Sequence, residues 1–229
     1  MEKKYKLTDE YILQDGVKLY RIEALKDFRN VRKGDKGGFV ENENNLSHNR
    51  NCWISEDAKV FGEARVYGNA KISGNAIVYN NAMICGDAEI RGSAKVCDYA
   101  CVSDNTFVKN NARVFDNAKV SGNSCVCDNA WVFGNANVSG KALVSGNAKV
   151  SGDANVCADE DYIVFKNWWS SLRYFTWTKS NNMWKVGCFY GTGEELIKKA
   201  YKDSEKSGRE YERVVKYVES ILSDEKKYI

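Results

Sequence analysis

The chain has 229 residues and a net charge of +3, from 34 Lys and Arg against 31 Asp and Glu. That balance disfavours direct binding to nucleic acid, which depends on a basic excess facing the phosphates. The charged start, the absence of a long apolar run and eight cysteines without Cys-x-x-Cys spacing predict a cytoplasmic chain with no membrane contact, no cofactor and no metal site.

Residues 1–50 read as a small β module. The strands around Tyr11–Leu13 and Val17–Ile22 are separated by Gln14-Asp15-Gly16, and an Asp-Gly pair is typical of a tight hairpin turn. A solenoid that begins after residue 50 needs its open edge covered. We therefore predict an N-terminal β-hairpin cap over 1–50.

Residues 51–158 repeat with a period of six. Val or Ile occupies every sixth position from Ile54 to Val156, and a small residue, most often Ala, stands two positions earlier. Gly, Asn or Asp follow, as in Gly68-Asn69. Side chains two apart on a strand point to the same side, and Gly and Asn tolerate the positive φ of a corner. Each hexad therefore predicts one short strand and one corner.

Three hexads close a triangular coil, so the 108 residues from 51 to 158 predict 18 hexads and six coils. The Val, Ile and Ala columns would fill the interior, each coil burying its neighbour. An α-helix repeats every 3.6 residues and a coiled coil every 3.5, and neither fits a period of six. The sequence predicts a mainly β fold, a parallel β-helix of about six coils.

One outer face of this β-helix is predicted to be aromatic. An exposed apolar stripe usually marks a contact surface. It could be covered by a second copy of the chain, by its own C-terminal module or by another protein. The predicted interaction residues are Phe61, Ile77, Tyr79, Phe115, Trp131 and Phe133.

Residues 159–229 predict a small α+β module rich in aromatic residues. Strands are expected at Tyr174–Thr178 and Trp184–Phe189. Thr192-Gly193-Glu194-Glu195 is typical of a capping box that opens a helix, and a second helix is expected from about Gly208. Its aromatics, Trp168 and Trp169 among them, are expected in a core rather than on a stacking platform.

The repeats resemble the bacterial hexapeptide-repeat superfamily, whose members form left-handed β-helices. Gly falls two places after the aliphatic residue, one place later than in the common transferase motif. That shift, with residues 33–41, 45–47 and 187–196, resembles a transferase-like branch found in phages and prophages. The resemblance implies the left hand, a bacterial host cell as setting and a homo-oligomer, a dimer or trimer.

Superfamily acyltransferases use a His base and a loop projecting from a coil. The one His of this chain, His48, precedes the coils, and 18 hexads run without insertion. A Cys nucleophile needs a base beside it, and the coils contain no His. We therefore expect no catalytic residues and a non-catalytic module that binds a host or phage protein through its β-helix faces and terminal modules. By analogy it would inhibit a host defence nuclease such as a CRISPR effector. The alternatives are an acyl-CoA-dependent acyltransferase and a self-assembling scaffold.

Overall fold

The computed structural model describes residues 2–225 and divides the chain into two compact units, residues 1–161 and 162–229. The first unit begins with strands β1 (Tyr5–Gln14), β2 (Val17–Ala24) and β3 (Lys36–Val40). β1 and β2 form the predicted hairpin, and its turn residues Asp15 and Gly16 have φ values of 51° and 82°. Positive φ at both positions matches the twist of the flanking strands.

The hexad repeat folds into the predicted parallel β-solenoid. Every hexad contributes a strand of two residues, and each strand pairs in parallel with the strand 18 residues away. Three sheets result, which we call faces 1, 2 and 3. Face 1 contains Lys59–Val60, Ile77–Val78, Lys95–Val96, Arg113–Val114, Trp131–Val132 and Lys149–Val150. Face 2 contains Trp53–Ile54, Lys71–Ile72, Glu89–Ile90, Phe107–Val108, Cys125–Val126 and Leu143–Val144. Face 3 contains Arg65–Val66, Met83–Ile84, Cys101–Val102, Lys119–Val120, Asn137–Val138 and Asn155–Val156.

The interior consists of the aliphatic and small-residue columns, whose members are almost completely buried. Two hydroxyl side chains replace Ala in the small column. Thr106 donates to the carbonyl of Ser103 (2.9 Å), and Ser124 to that of Ser121 (2.8 Å). Because a buried hydroxyl without a partner is costly, these local bonds explain why the column accepts them.

The corners have one conformational rule. From Glu56 to Gly152, every sixth residue has positive φ, and nearly all of these residues are Gly, Asn or Asp. Asp104 and Asp128 use their carboxylates as well, accepting from the backbone N–H of the corner residue in the next coil at 2.9 and 3.1 Å. The corner residues thus turn the chain and also join consecutive coils.

The solenoid continues one turn beyond the predicted start. β3 pairs in parallel with the first repeat strand of face 1, and Leu46 forms a parallel bridge with Val66 on face 3. Of the nine strands in the sheet of face 1, seven run along the solenoid once β1 and β2 are set aside, which gives about seven turns. β3 approaches the next coil closely, since a Cβ on Gly38 would lie 2.5 Å from the carbonyl oxygen of Ala58.

A buried lysine closes the N-terminal end. Lys4 is 1% exposed, and its ammonium donates to the carbonyl of Cys52 (2.7 Å) and lies over the ring of Phe28. Burial lowers the pKa of Lys4. Tyr5, the next residue, donates to the carbonyl of Leu46 at 2.7 Å. The N-terminal strand is therefore fixed to the first turn by polar as well as sheet contacts.

The second unit is a four-stranded antiparallel sheet with two helices. Its strands are Tyr162–Lys166, Tyr174–Thr178, Met183–Val186 and Phe189–Gly191. Helix α1 (Gly193–Asp203) opens with the predicted capping box, in which Thr192 and Glu195 exchange hydrogen bonds.

The start predicted for the second helix is wrong. Helix α2 (Glu205–Glu225) begins three residues before Gly208. Gly208 lies inside the helix, against the ring of Tyr201, which leaves no room for a Cβ. The core of this unit includes the aromatic residues Phe175, Trp177, Trp184 and Tyr211 with aliphatic residues of both helices.

Candidate interaction surfaces

The predicted aromatic column on face 1 is covered in its first half by the molecule itself. Phe61 is 9% exposed and packs with Leu19 of β2 and Phe39 of β3. Tyr79 stacks on Phe61 at 5.4 Å and, like Ile77, is partly buried against the same cluster. Phe61 is therefore not available as an exposed contact. The cover is the N-terminal hairpin, which was not among the three predicted.

The second half of the column forms a patch of aromatic rings and cations. Phe115 and Phe133 stack with centroids 4.8 Å apart and ring planes 4° from parallel, and Trp131 meets Phe115 edge-on at 6.0 Å. The guanidinium of Arg113 and the ammonium of Lys149 lie 5.0 and 4.3 Å from the Trp131 ring. We call these five residues the face-1 patch. Its rings are half-buried, and its charge is positive.

Two cysteines of the coils, Cys97 and Cys127, are poor nucleophiles. Burial raises the pKa of the Cys97 and Cys127 thiols to about 11. The thiolate is the reactive form, so both side chains are protonated near neutral pH.

His48 is held in place by the N-terminal strand. Its Nδ1 accepts from the backbone N–H of Lys4 (3.2 Å), and its ring stacks on Tyr5 at 4.4 Å. In the neutral ring the remaining nitrogen, Nε2, must then carry the proton. Nε2 lies 3.6 Å from a carboxylate oxygen of Glu43. The neutral side chain has no free lone pair for a general base, and the expectation of an ordinary surface-loop residue gives way to a half-buried, anchored one.

Sequence reasoning missed an ordered loop in the second unit, residues 167–173. The expectation of a core position is wrong for Trp168, which is 72% exposed, as is Leu172 at 61%. Trp169 packs edge-on against Phe175 and Tyr211, at the edge of the core. Leu172 has φ of 54°, an unusual backbone conformation for leucine.

Asn167 fixes this loop. It is fully buried, and its side-chain oxygen accepts from the backbone N–H groups of Trp169 (3.2 Å) and Ser170 (2.9 Å). Its amide donates to the hydroxyls of Ser170 and Tyr211. The signal in the sequence was Asn followed by Trp-Trp-Ser-Ser, because Asn side chains close turns onto nearby backbone groups.

The stacked coils and three faces define the class: this chain is a β-solenoid repeat protein. A family model described as YdcK Beta solenoid repeat matches residues 70–86, about one coil. No curated protein matches the chain. In the part of the chain that the structure describes, neither helix has the length and apolar character needed to cross a membrane.

Proposed function

We propose that the protein is a non-catalytic interaction module that binds a partner protein. The observation that supports this most is the loop 167–173, where Trp168 and Leu172 project while the buried Asn167 holds their backbone. Tryptophan is enriched among the residues that dominate binding energy. A loop already fixed in one conformation loses less entropy when it binds.

The face-1 patch supplies a second contact surface on the first unit. Its stacked rings offer rigid apolar area, and Arg113 and Lys149 give the patch a positive rim. Complementary charge steers association and selects partners. We therefore propose a partner surface that presents carboxylates around an apolar centre.

The setting of this interaction is proposed from the resemblance of the sequence to phage and prophage proteins. In that setting the partner would be a host or phage protein, and a defence nuclease such as a CRISPR effector is the candidate that the analogy favours. Binding to a protein surface is supported by the rigid repeat scaffold and by the exposed apolar side chains of the loop 167–173.

The test is affinity capture from the natural host with the full chain and two variants. Trp168→Ala removes the projecting ring, and Tyr99→Ala removes a solenoid ring that is 68% exposed and serves as the matched control. A host protein captured by the wild type and by Tyr99→Ala, and lost with Trp168→Ala, supports the proposal. Recovery of the protein alone from all three would contradict it, and a larger species on a sizing column would then favour a scaffold.

The acyltransferase alternative has less support. The backbone N–H of Lys4 donates to Nδ1 of His48 and so occupies the lone pair that a general base would need. Calorimetry with acetyl-CoA separates the two hypotheses. A binding heat that disappears in His48→Ala would favour the transferase.

A further inference from the structure

A groove lies on face 2, between the first coils and the segment that connects β2 to β3. The groove has a volume of about 430 Å³, within the range of small-molecule sites. The connecting segment contributes Arg29, Asn30, Val31 and Asp35, and the first residue of β3 contributes Lys36. Three successive coils contribute Asn51, Trp53, Ser55, Lys71, Ser73, Glu89 and Arg91.

The connecting segment is fixed against the solenoid. Phe28 and Val31 exchange backbone hydrogen bonds at 3.0 and 2.9 Å, and the Phe28 ring meets Trp53 edge-on at 5.4 Å. Arg29 donates to the carbonyl of Asn69 and pairs with Asp87, both at 3.2 Å. The groove therefore has two ordered walls.

The floor and walls differ in chemistry. Trp53 and Val31 are each 8% exposed and form an apolar floor. Above it, Ser55 and Ser73 present hydroxyls at equivalent positions of neighbouring coils, and Asn30 and Asn51 present amides. Polar groups that converge over an apolar floor are typical of small-molecule sites.

The charges of the lining are unequal. Four cations, Arg29, Lys36, Lys71 and Arg91, face two carboxylates, Asp35 and Glu89. Lys71 pairs with Glu89 at 2.8 Å, and Lys36 pairs with Glu10 outside the groove.

Arg91 differs from the other cations of the groove. It makes no ion pair within the described residues 2–225, and its guanidinium lies 5.5 Å from the Phe107 ring. Its donors are available to an anionic ligand, since a guanidinium presents five N–H groups in a planar fork.

We propose that this groove binds a sugar phosphate. Arg91 holds the phosphate, because a guanidinium group matches phosphate oxygens with pairs of N–H donors. Arg29 remains bonded to Asn69 and Asp87 and keeps the wall of the groove in place. Asp35 and Glu89 accept hydrogen bonds from sugar hydroxyls, and the Ser73 hydroxyl donates to one of them. The Ser55 hydroxyl already donates to the carbonyl of Ile72 and can only accept. The mixture of cations, carboxylates and hydroxyls fits a ligand with both an anionic and a polyol part better than a simple anion.

The experiment is titration calorimetry on the full chain at physiological salt, with glucose 6-phosphate as the probe. Glucose and inorganic phosphate serve as the two half-probes. Arg91→Gln is expected to weaken binding of glucose 6-phosphate by about tenfold or more, since it removes charge-assisted hydrogen bonds. Lys119→Gln, at an exposed position on face 3, is the matched control and is expected to bind like the wild type.

Circular dichroism of both variants shows whether each retains its β-solenoid. No heat with glucose 6-phosphate overturns the proposal, as does equal weakening by the two substitutions, which would indicate a diffuse charge effect. Inorganic phosphate binding as tightly as glucose 6-phosphate overturns the sugar part of the assignment. Binding lost in a folded Arg91→Gln protein and kept in Lys119→Gln supports it.

Discussion

The two units of this chain reach a stable core by different routes. In the solenoid, the side chains of the two interior columns are small or β-branched, and each meets near-copies of itself 18 residues away. In the second unit, the core depends on a few large rings, with Phe175, Trp177 and Trp184 almost fully buried. A repeat distributes its stability over many similar contacts between neighbours. A small mixed core concentrates it in single residues that cannot be exchanged for one another.

The largest effect is expected where that concentration is greatest. Trp184→Ala removes a side chain that is 2% exposed and should cost the second unit about 3–5 kcal/mol. Unfolding in denaturant, followed by near-UV circular dichroism, should show this unit melting before the solenoid. Trp168→Ala, at a residue 72% exposed, should change stability by less than about 0.5 kcal/mol. A single transition that shifts as a whole in Trp184→Ala would show that the two units unfold together.

The solenoid should show smaller and more uniform costs. Val108, Val114 and Val120 occupy equivalent positions on faces 2, 1 and 3, and each is fully buried. Replacing any one with Ala should cost about 2–3 kcal/mol, from lost burial and a small cavity. The free energies of unfolding from denaturant titrations should agree among the three variants within about 0.5 kcal/mol. Differences beyond about 1 kcal/mol would break the equivalence of the faces.

Asparagines stabilise both units, a loop in the second unit and the corners in the solenoid. Asn167→Ala leaves the partly buried backbone N–H groups of Trp169 and Ser170 without their acceptor and should cost about 1–3 kcal/mol. Hydrogen exchange of the Ser170 backbone N–H should be faster in Asn167→Ala than in the wild type. Asn129→Ala, at an exposed corner, should cost only a few tenths of a kcal/mol. Equal losses of stability in Asn167→Ala and Asn129→Ala would show that the loop does not depend on the Asn167 hydrogen bonds.

The smallest effect is a dependence on pH at one corner. The Gly146 N–H and then the Asn110 amide hold the pKa of Asp128 below its usual range. A lowered pKa in the folded state contributes stability above the unfolded value of about 3.9 and loses it as pH falls through the folded value. Titration by NMR should find the low value, and Asn110→Ala should raise it. An unchanged value in Asn110→Ala would assign the shift to the backbone bond alone.

Most of the solenoid could be predicted because its information is local. The residues of each hexad specify one strand and one corner, and neighbouring hexads have the same pattern. The period failed at one place. Leu46 and Ile54 are eight residues apart instead of six, so stepping back from Ile54 by six reaches His48 rather than a core position. The sequence therefore predicts a separate cap where the structure has the first turn of the solenoid.

The surfaces were harder to predict, because burial on a solenoid face depends on residues outside the repeat. Nothing in the hexads indicates that Leu19 and Phe39 cover Phe61. Trp168 and Trp169 are neighbours of the same type with opposite environments, and only the fold of the loop around Asn167 separates them. The interaction roles of Phe115, Trp131 and Phe133 stay a prediction.

The 18-residue coil also sets how this molecule can change in length. Duplicating or deleting one whole coil would lengthen or shorten the rod by about 4.8 Å and keep every downstream residue on its own face. An insertion of six residues would preserve the Val and Ala columns but rotate everything after it by a third of a turn. The face-2 groove and the face-1 patch would then change their relative direction. Length changes that keep every residue on its own face are thus confined to multiples of one coil, and a shorter step alters which surfaces face the same side.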